Sequence, residues 1–331
     1  MAAMISQTPA VLYLSMEGLD VSPGHALLRA RGVDVLDIAD DPSPRDLERV
    51  VALLVGYDRI GPDWLDRLPA LRLIATHSAG YDMVDVDAVR ERGLWLANLP
   101  AAATDEVATH ALTMALALVR RLPQYDRDVR QGRWYDESAP LPRMPGELTC
   151  GVIGMGRIGQ AFAALAGRLF GRVVGYDPVV PDAHWPADVE RIAEVDALLG
   201  VSDCVSLHLP LSAGTQGLLD ARRLALLPPG AVVVNVSRGG LVDEAALLDA
   251  LRTGRLAGAA CDVLVQEPPA ADDPMLGAPG ILLSPHVAYL SASALRRYAE
   301  VPARNVIAFL DHGAPLNPVV SPGEAAASTA P

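Results

Sequence analysis

At 331 residues, 51% of them apolar, the chain is long enough to build two cores rather than one. A formal net charge of −13 excludes sequence-independent nucleic-acid binding and attachment to an anionic membrane surface, because both need basic surface. All 27 cationic side chains are arginines; the absence of lysine rules out Schiff-base chemistry, P-loop nucleotide hydrolysis and Tyr-x-x-x-Lys dehydrogenase catalysis.

Met1 to Pro9 has no basic region followed by an apolar core, and the most apolar helical stretch, Ala111 to Val119, is far short of a membrane span. A cytoplasmic protein is the expectation. Cys150, Cys204 and Cys261 lie in or beside apolar runs, so buried free thiols are expected, and no histidine spacing suggests a metal site.

In chain order, strands at Val11–Ser15, Val33–Ile38, Ala52–Tyr57, Leu71–Ser78 and Trp95–Asn98 alternate with helices, including Gly24–Ala30 and one opening at Ser43 with Pro44 in its first position. This predicts a five-strand parallel α/β unit without a nucleotide fingerprint. Glycines at 32, 93, 171 and 254 stand just past helix ends, where the left-handed C′ conformation is cheap. Thr104 is the expected N-cap of a long helix, with Asp105 and Glu106 in its first turn, running to about Arg121. Arg133 to Pro145 then reads as a surface loop.

The stretch Gly151-Val-Ile-Gly-Met-Gly-Arg-Ile-Gly-Gln160 follows, an apolar strand breaking into a glycine turn that opens a helix. Gly154, Gly156 and Gly159 have G-x-G-x-x-G spacing, suited to a tight turn, backbone approach to a pyrophosphate, and close helix–strand packing. A second apolar run, Arg172–Asp177, ends in a carboxylate eighteen residues past Gly159, where a dinucleotide fold needs an acceptor for the ribose 2′-OH. That acid should select NAD over NADP, since no arginine lies in Pro178–Pro186 to offset repulsion of a 2′-phosphate. The alternation resumes with strands Cys204–Leu209, Ala231–Val236, Ala257–Val263 and Ile281–Ser284, a helix Asp243–Arg252, and a last helix from Ser291 to Asp311. Ser321–Pro331 reads as a disordered tail.

Ligands bind beyond the carboxyl ends of parallel strands, and three ionisable residues stand there in the second sheet: Arg238, Glu267 and His286. An anion binder, a carboxylate and an imidazole are what reduction of a 2-oxo acid requires.

At these residues the sequence resembles the D-isomer-specific 2-hydroxyacid dehydrogenase family over nearly its whole length. The motifs are Gly151–Gln160 with Tyr176-Asp177-Pro178, His208-Leu-Pro210, Asn235-Val-Ser-Arg-Gly-Gly-Leu-Val-Asp243, Asp262-Val-Leu-Val-Gln-Glu-Pro268 and Ser284-Pro-His-Val-Ala288. The resemblance implies two doubly wound parallel-sheet domains: a Rossmann nucleotide domain (101–287) inserted into a flavodoxin-like substrate domain (1–100 plus 288–331). It implies a catalytic trio of Arg238, Glu267 and His286. An NAD site would be formed by Gly154, Gly156, Arg157, Ile158, Gly159, Asp177, His208, Pro210, Thr215, Val236, Asp262, Arg238 and His286, with Asp262 near the nicotinamide. Backbone groups of Ser78, Ala79 and Gly80, with Arg238, His286 and Tyr289, would take the substrate. The family's members are usually dimers joined through their nucleotide domains.

Thr109 departs from the family, occupying a place where many members carry Glu. Asn98–Thr104 and Tyr289 look more like the branch of D-lactate dehydrogenases and C-terminal-binding corepressors, so an NAD(H)-sensing binding protein stands as an alternative to an enzyme. A reductase for an unusual, for example phosphonate-bearing, 2-oxo acid is a third. The small loop residues and the want of an extra arginine beside the motifs lead us to expect a monoanionic oxo acid such as glyoxylate, hydroxypyruvate or pyruvate.

Overall fold

A computed structural model describes residues 8–14, 18–134 and 140–323. Parts of four expectations fall outside these residues: the N-terminal stretch to Pro9, the end of the first strand at Ser15, the loop before the fingerprint strand, and the tail. The chain divides into two compact units, Met1–Ala102 with Ser291–Pro331, and Ala103–Leu290.

The first unit holds strands β1 (Ala10–Tyr13), β2 (Asp34–Asp37), β3 (Val50–Val55), β4 (Leu73–Thr76) and β5 (Trp95–Ala97). They are parallel in the order 5-4-3-1-2, the flavodoxin-like winding. A sixth strand, Pro318–Val320 near the chain's end, pairs antiparallel with β5 and was not expected. Three residues, the first of them a proline, give no periodicity to read. Neighbouring side chains go to opposite faces, Leu53 and Val55 to one and Ala52 and Leu54 to the other, so both faces of the sheet are cored.

The second unit is a wholly parallel sheet of β6 (Thr149–Ile153), β7 (Arg172–Tyr176), β8 (Glu190–Arg191), β9 (Cys204–Leu207), β10 (Ala231–Asn235), β11 (Leu256–Cys261) and β12 (Ile281–Leu283), ordered 12-11-10-9-6-7-8. The winding runs outward from β6 to β8, then restarts on the other side at β9. This places the topological switch between β6 and β9, where open α/β sheets bind ligands. Val232 and Val234 face one helical layer, with Met114 and Leu118 of the helix Thr104–Val119, while Val233 faces the other with Leu247. Each such side chain stabilises by about 1.5–3 kcal/mol when buried, so the ends of the strands are held on a stiff platform.

Local signals fare unevenly. Ser43, Asp243 and Ser291 cap their helices, accepting from the N–H groups of Asp46, Ala246 and Ala294. Thr104 does not: it is the first helical residue, and Ala103 is the cap position, without a side-chain bond. The long helix stops at Val119, because Arg121 turns left-handed (φ 57°) and a separate helix, Leu122–Arg130, begins there with a proline in its first turn. Gly32, Gly93 and Gly254 have the expected positive φ. Gly171 does not; a Cβ there would lie 2.2 Å from the Gly146 carbonyl oxygen, so close packing fixes it as glycine. All three cysteines are free and buried, and burial pushes the Cys261 thiol up to about 12. Among the described residues no helix is long and apolar enough to cross a membrane.

Candidate active site

The fingerprint turn lies at the switch point of the second unit. Gly154 has φ 95° and packs so closely that a Cβ would stand 2.3 Å from the His208 carbonyl oxygen, across from the end of β9. At Gly159 a Cβ would meet the Gly154 oxygen at 1.9 Å, which draws the helix Arg157–Ala166 onto the turn. Gly156 is different: a Cβ there meets nothing within 4 Å. The exposed Gly156 and Arg157 and half-buried Ile158 thus leave open space over a helix N-terminus that no side chain caps. An open approach to the N–H groups of a helix's first turn suits a pyrophosphate.

Asp177 follows β7, as expected, but its carboxylate already has work within the loop. It accepts from Met155 N–H (2.8 Å), Val179 N–H (2.8 Å) and Val180 N–H (3.1 Å), tying the fingerprint turn to β7. Arg191 of β8, fourteen residues past Asp177 in the chain, was not anticipated. Its guanidinium stacks over Trp185 and donates to the carbonyls of Asp177 and Val180 (3.0 Å each) and to Asp182 (2.5 Å).

His208 is pinned rather than presented. Its ring lies against Phe162 (4.8 Å between centroids), its Nε2 pairs with Ser206 Oγ at 2.8 Å, and burial pushes its pKa down to about 3. The neutral imidazole therefore shapes the wall beside Gly154. Thr215 Oγ1 donates to the Pro210 carbonyl (2.7 Å) and accepts from Ser212 N–H (2.8 Å), closing the loop after β9. Val236 is buried at the end of β10.

Arg238, Glu267 and His286 follow β10, β11 and β12. Arg238 is half-buried; Asn235, fully buried, donates from Nδ2 to its carbonyl (2.8 Å), and a Cβ on the next residue, Gly239, would overlap the Leu264 backbone. This contact holds the loop carrying Glu267 against the loop carrying Arg238. Glu267 accepts from Leu264 N–H (2.9 Å) through Oε1 and meets His286 Nδ1 at 2.7 Å through Oε2. Burial pushes its carboxyl up, but the bonds from His286 and Leu264, with the charges of His286 and Arg238, outweigh this and hold it below the usual range. The Tyr289 ring stands edge-on to the His286 ring, 6.3 Å away.

Asp262 sits beneath this group with its side chain fully buried. It accepts from Ser284 Oγ, Val287 N–H (2.9 Å) and Ala288 N–H (2.9 Å), so the carboxylate points into the His286 loop. Its motif position makes it legible in the sequence. Its inward orientation is not.

Ser78, Ala79 and Gly80 lie in the first unit, after β4. Their carbonyls are all engaged, by Thr76 Oγ1 and Leu99 N–H, by Asn98 Nδ2, and by Ser78 Oγ respectively. Among the described residues their N–H groups donate to no protein acceptor.

Comparison with known proteins identifies the family. Residues 112–288 match the D-isomer specific 2-hydroxyacid dehydrogenase, NAD binding domain family. A glyoxylate reductase of Korarchaeum cryptofilum is 37% identical over 269 residues, 80% of each chain. The crystal structure of a D-lactate dehydrogenase from Aquifex aeolicus, complexed with NAD and lactic acid, superimposes with a TM-score of 0.83 at 28% identity, covering 94% of this chain and 99% of that one. An NADPH-dependent glyoxylate/hydroxypyruvate reductase from Sinorhizobium meliloti gives 0.81 at 30% identity, covering 94% and 98%. With a family match over more than half its length and the fold to go with it, the chain belongs to the D-isomer specific 2-hydroxyacid dehydrogenases, a family of pyridine-nucleotide oxidoreductases.

Proposed function

We propose that the protein reduces a small, monoanionic 2-oxo acid to the D-2-hydroxy acid with NADH, the second unit holding the nucleotide. The observation that carries this reading is the His286–Glu267 pair, 2.7 Å apart, with the Arg238 charge acting on the same carboxylate. When bound, the reduced nicotinamide supplies the hydride. Glu267 engages Nδ1 of His286, which leaves Nε2 to hold the proton destined for the substrate's C2 oxygen. Arg238, whose Nη1 also donates to the Ser237 carbonyl (2.9 Å), is the cation proposed for the carboxylate and carbonyl oxygens. Within the first unit, the N–H groups of Ser78–Gly80, with their carbonyls engaged elsewhere, suit a carboxylate oxygen.

NAD is the proposed cofactor because the Asp177 charge just past β7 would repel a 2′-phosphate bound there, while Arg191 spends its donors on Asp182 and two carbonyls. Relatives of both cofactor habits exist among the neighbours, one in complex with NAD and one NADPH-dependent. Glyoxylate, hydroxypyruvate and pyruvate are the substrates to try first, in keeping with the names of the glyoxylate and hydroxypyruvate reductases and D-lactate dehydrogenase among its relatives. A homodimer is also proposed: Leu122, Val129, Trp134, Leu141 and Met144 are exposed within one short stretch of the second unit, Trp134 by 87%.

The test is a steady-state panel of 2-oxo acids with NADH and NADPH, phosphorylated and phosphonate-bearing acids included. Preference for a small oxo acid with NADH is expected. A phosphorylated acid favoured more than about tenfold, or about 1.4 kcal/mol of transition-state binding, reveals a second anion site. An inert panel with tight NADH binding replaces the enzyme by an NAD(H)-sensing protein.

A further inference from the structure

His286 is one of three non-glycine residues with positive φ among those described, at 54°. A histidine held in the left-handed region costs free energy and persists only where its surroundings impose it. Those surroundings are polar contacts around Asp262. The His286 N–H donates to the Asp262 carbonyl (2.7 Å), and the two residues after it, Val287 and Ala288, donate their N–H groups to the two oxygens of the Asp262 carboxylate. One residue thus grips His286 and both positions after it.

The grip extends outward. Asp262 Oδ1 also accepts the Ser284 hydroxyl proton, so Ser284 Oγ, 3.1 Å from His110 Nε2, must in turn accept. A carboxylate has no proton to give, which fixes the direction: His110 Nε2–H donates to Ser284, and Ser284 O–H donates to Asp262. His110 comes from the helix Thr104–Val119, and its Nε2 lies 3.7 Å from Asp262 Oδ1, giving the buried carboxylate a polar neighbour that leads towards solvent. A fully buried carboxylate is tolerated only when its lone pairs are satisfied, and removing one partner loosens the rest.

We propose that His110 and Ser284 are positioning residues for the reaction, setting the backbone of His286 through the buried Asp262 carboxylate. The proposal rests on the reading of His286 as proton donor. Its consequence is that a residue on a distant helix governs the aim of the imidazole towards substrate without touching substrate or cofactor.

The decisive variants are Ser284→Ala and His110→Ala, with Ser284→Thr and His110→Gln as conservative partners that keep a hydroxyl and an Nε donor. The His110 side chain is 29% exposed, so its truncation spares the core. For both alanine variants kcat with the preferred 2-oxo acid should fall about tenfold or more, as expected for a misplaced proton donor. The Kd for NADH should stay within about twofold of wild type, and the conservative variants should recover most of kcat. A crystal structure of Ser284→Ala should show His286 out of the left-handed region or its Nδ1 drawn away from Glu267. An unchanged kcat in both alanine variants overturns the proposal, as does a loss of NADH affinity in step with kcat. Should the wild-type protein reduce no 2-oxo acid, the functional reading fails by itself. The structure of Ser284→Ala then decides the clamp alone, and an unmoved His286 refutes it.

Discussion

Gly156 and Gly159 look alike in the sequence, yet alanine at each should have opposite effects. At Gly159 the added Cβ would stand 1.9 Å from a backbone oxygen, so the helix must lift from the turn. Overpacking of this kind costs about 1–3 kcal/mol. For a unit of this size that lowers Tm by roughly 2–12 °C. At Gly156, with φ −69° and open space around the Cβ position, the folded chain accepts alanine. The weaker N-cap, about 0.5–1 kcal/mol, is offset by the reduced freedom of the unfolded chain, about 0.4–1 kcal/mol, and Tm should move by no more than about 2 °C. The same methyl group occupies the space through which a pyrophosphate must approach the helix N–H groups. Losing one or two charge-assisted hydrogen bonds, about 1.5–3 kcal/mol, raises the Kd for NADH by roughly 10- to 100-fold. Thermal melts and NADH titration by fluorescence separate the two effects. Wild-type NADH affinity in a well-folded Gly156→Ala protein would refute the placement of the pyrophosphate.

Glu267 accepts from His286 Nδ1 at 2.7 Å, and that bond holds its carboxyl low despite its burial. Glu267→Gln removes the charged acceptor at Nδ1 and should lower kcat for reduction about tenfold or more while the Kd for NADH stays near wild type; an unchanged kcat refutes the pairing. Asp177→Ala should narrow the preference for NADH over NADPH in kcat/KM and, by releasing Met155 N–H, weaken binding of both; an undiminished preference moves cofactor selection elsewhere. His77, buried after β4 with Nδ1 2.8 Å from the Tyr298 carbonyl, has its pKa pushed by burial from 6.5 to about 4. Below pH 6.5 the unfolded chain takes up a proton that the folded chain refuses, so stability is complete above that pH. It falls as pH drops towards 4, by up to about 3 kcal/mol. Melts from pH 7 to 5 should show a shallower slope in His77→Asn than in wild type, and parallel slopes would remove His77 from the account.

The winding of both sheets was legible because apolar runs of strand length alternate with capped helices, and the glycine spacing marked the switch point. What escaped was short or non-local. β8 has two residues, and the strand at Pro318–Val320 has three, the first a proline; neither carries a pattern. The break at Arg121 depends on a left-handed backbone that no glycine announces. That Arg238, Glu267 and His286 each follow a strand of one sheet could be read from their motif positions. The inward turn of Asp262 could not, because it depends on Ser284, Val287 and Ala288 converging on one carboxylate. Arg191 was missed for a similar reason: fourteen residues separate it from Asp177, and only the pairing of β7 with β8 brings them together.

The central claim is that His286 delivers the proton while hydride arrives on one face of the oxo acid. It is tested most directly by following NADH oxidation with pyruvate and hydroxypyruvate for wild type and His286→Ala, with chiral analysis of the product. The account predicts D-hydroxy acid from the wild type. For the variant it predicts a rate lower by about 10²- to 10⁴-fold with NADH affinity nearly intact. Unchanged turnover in His286→Ala, or an L-product from the wild type, would contradict it.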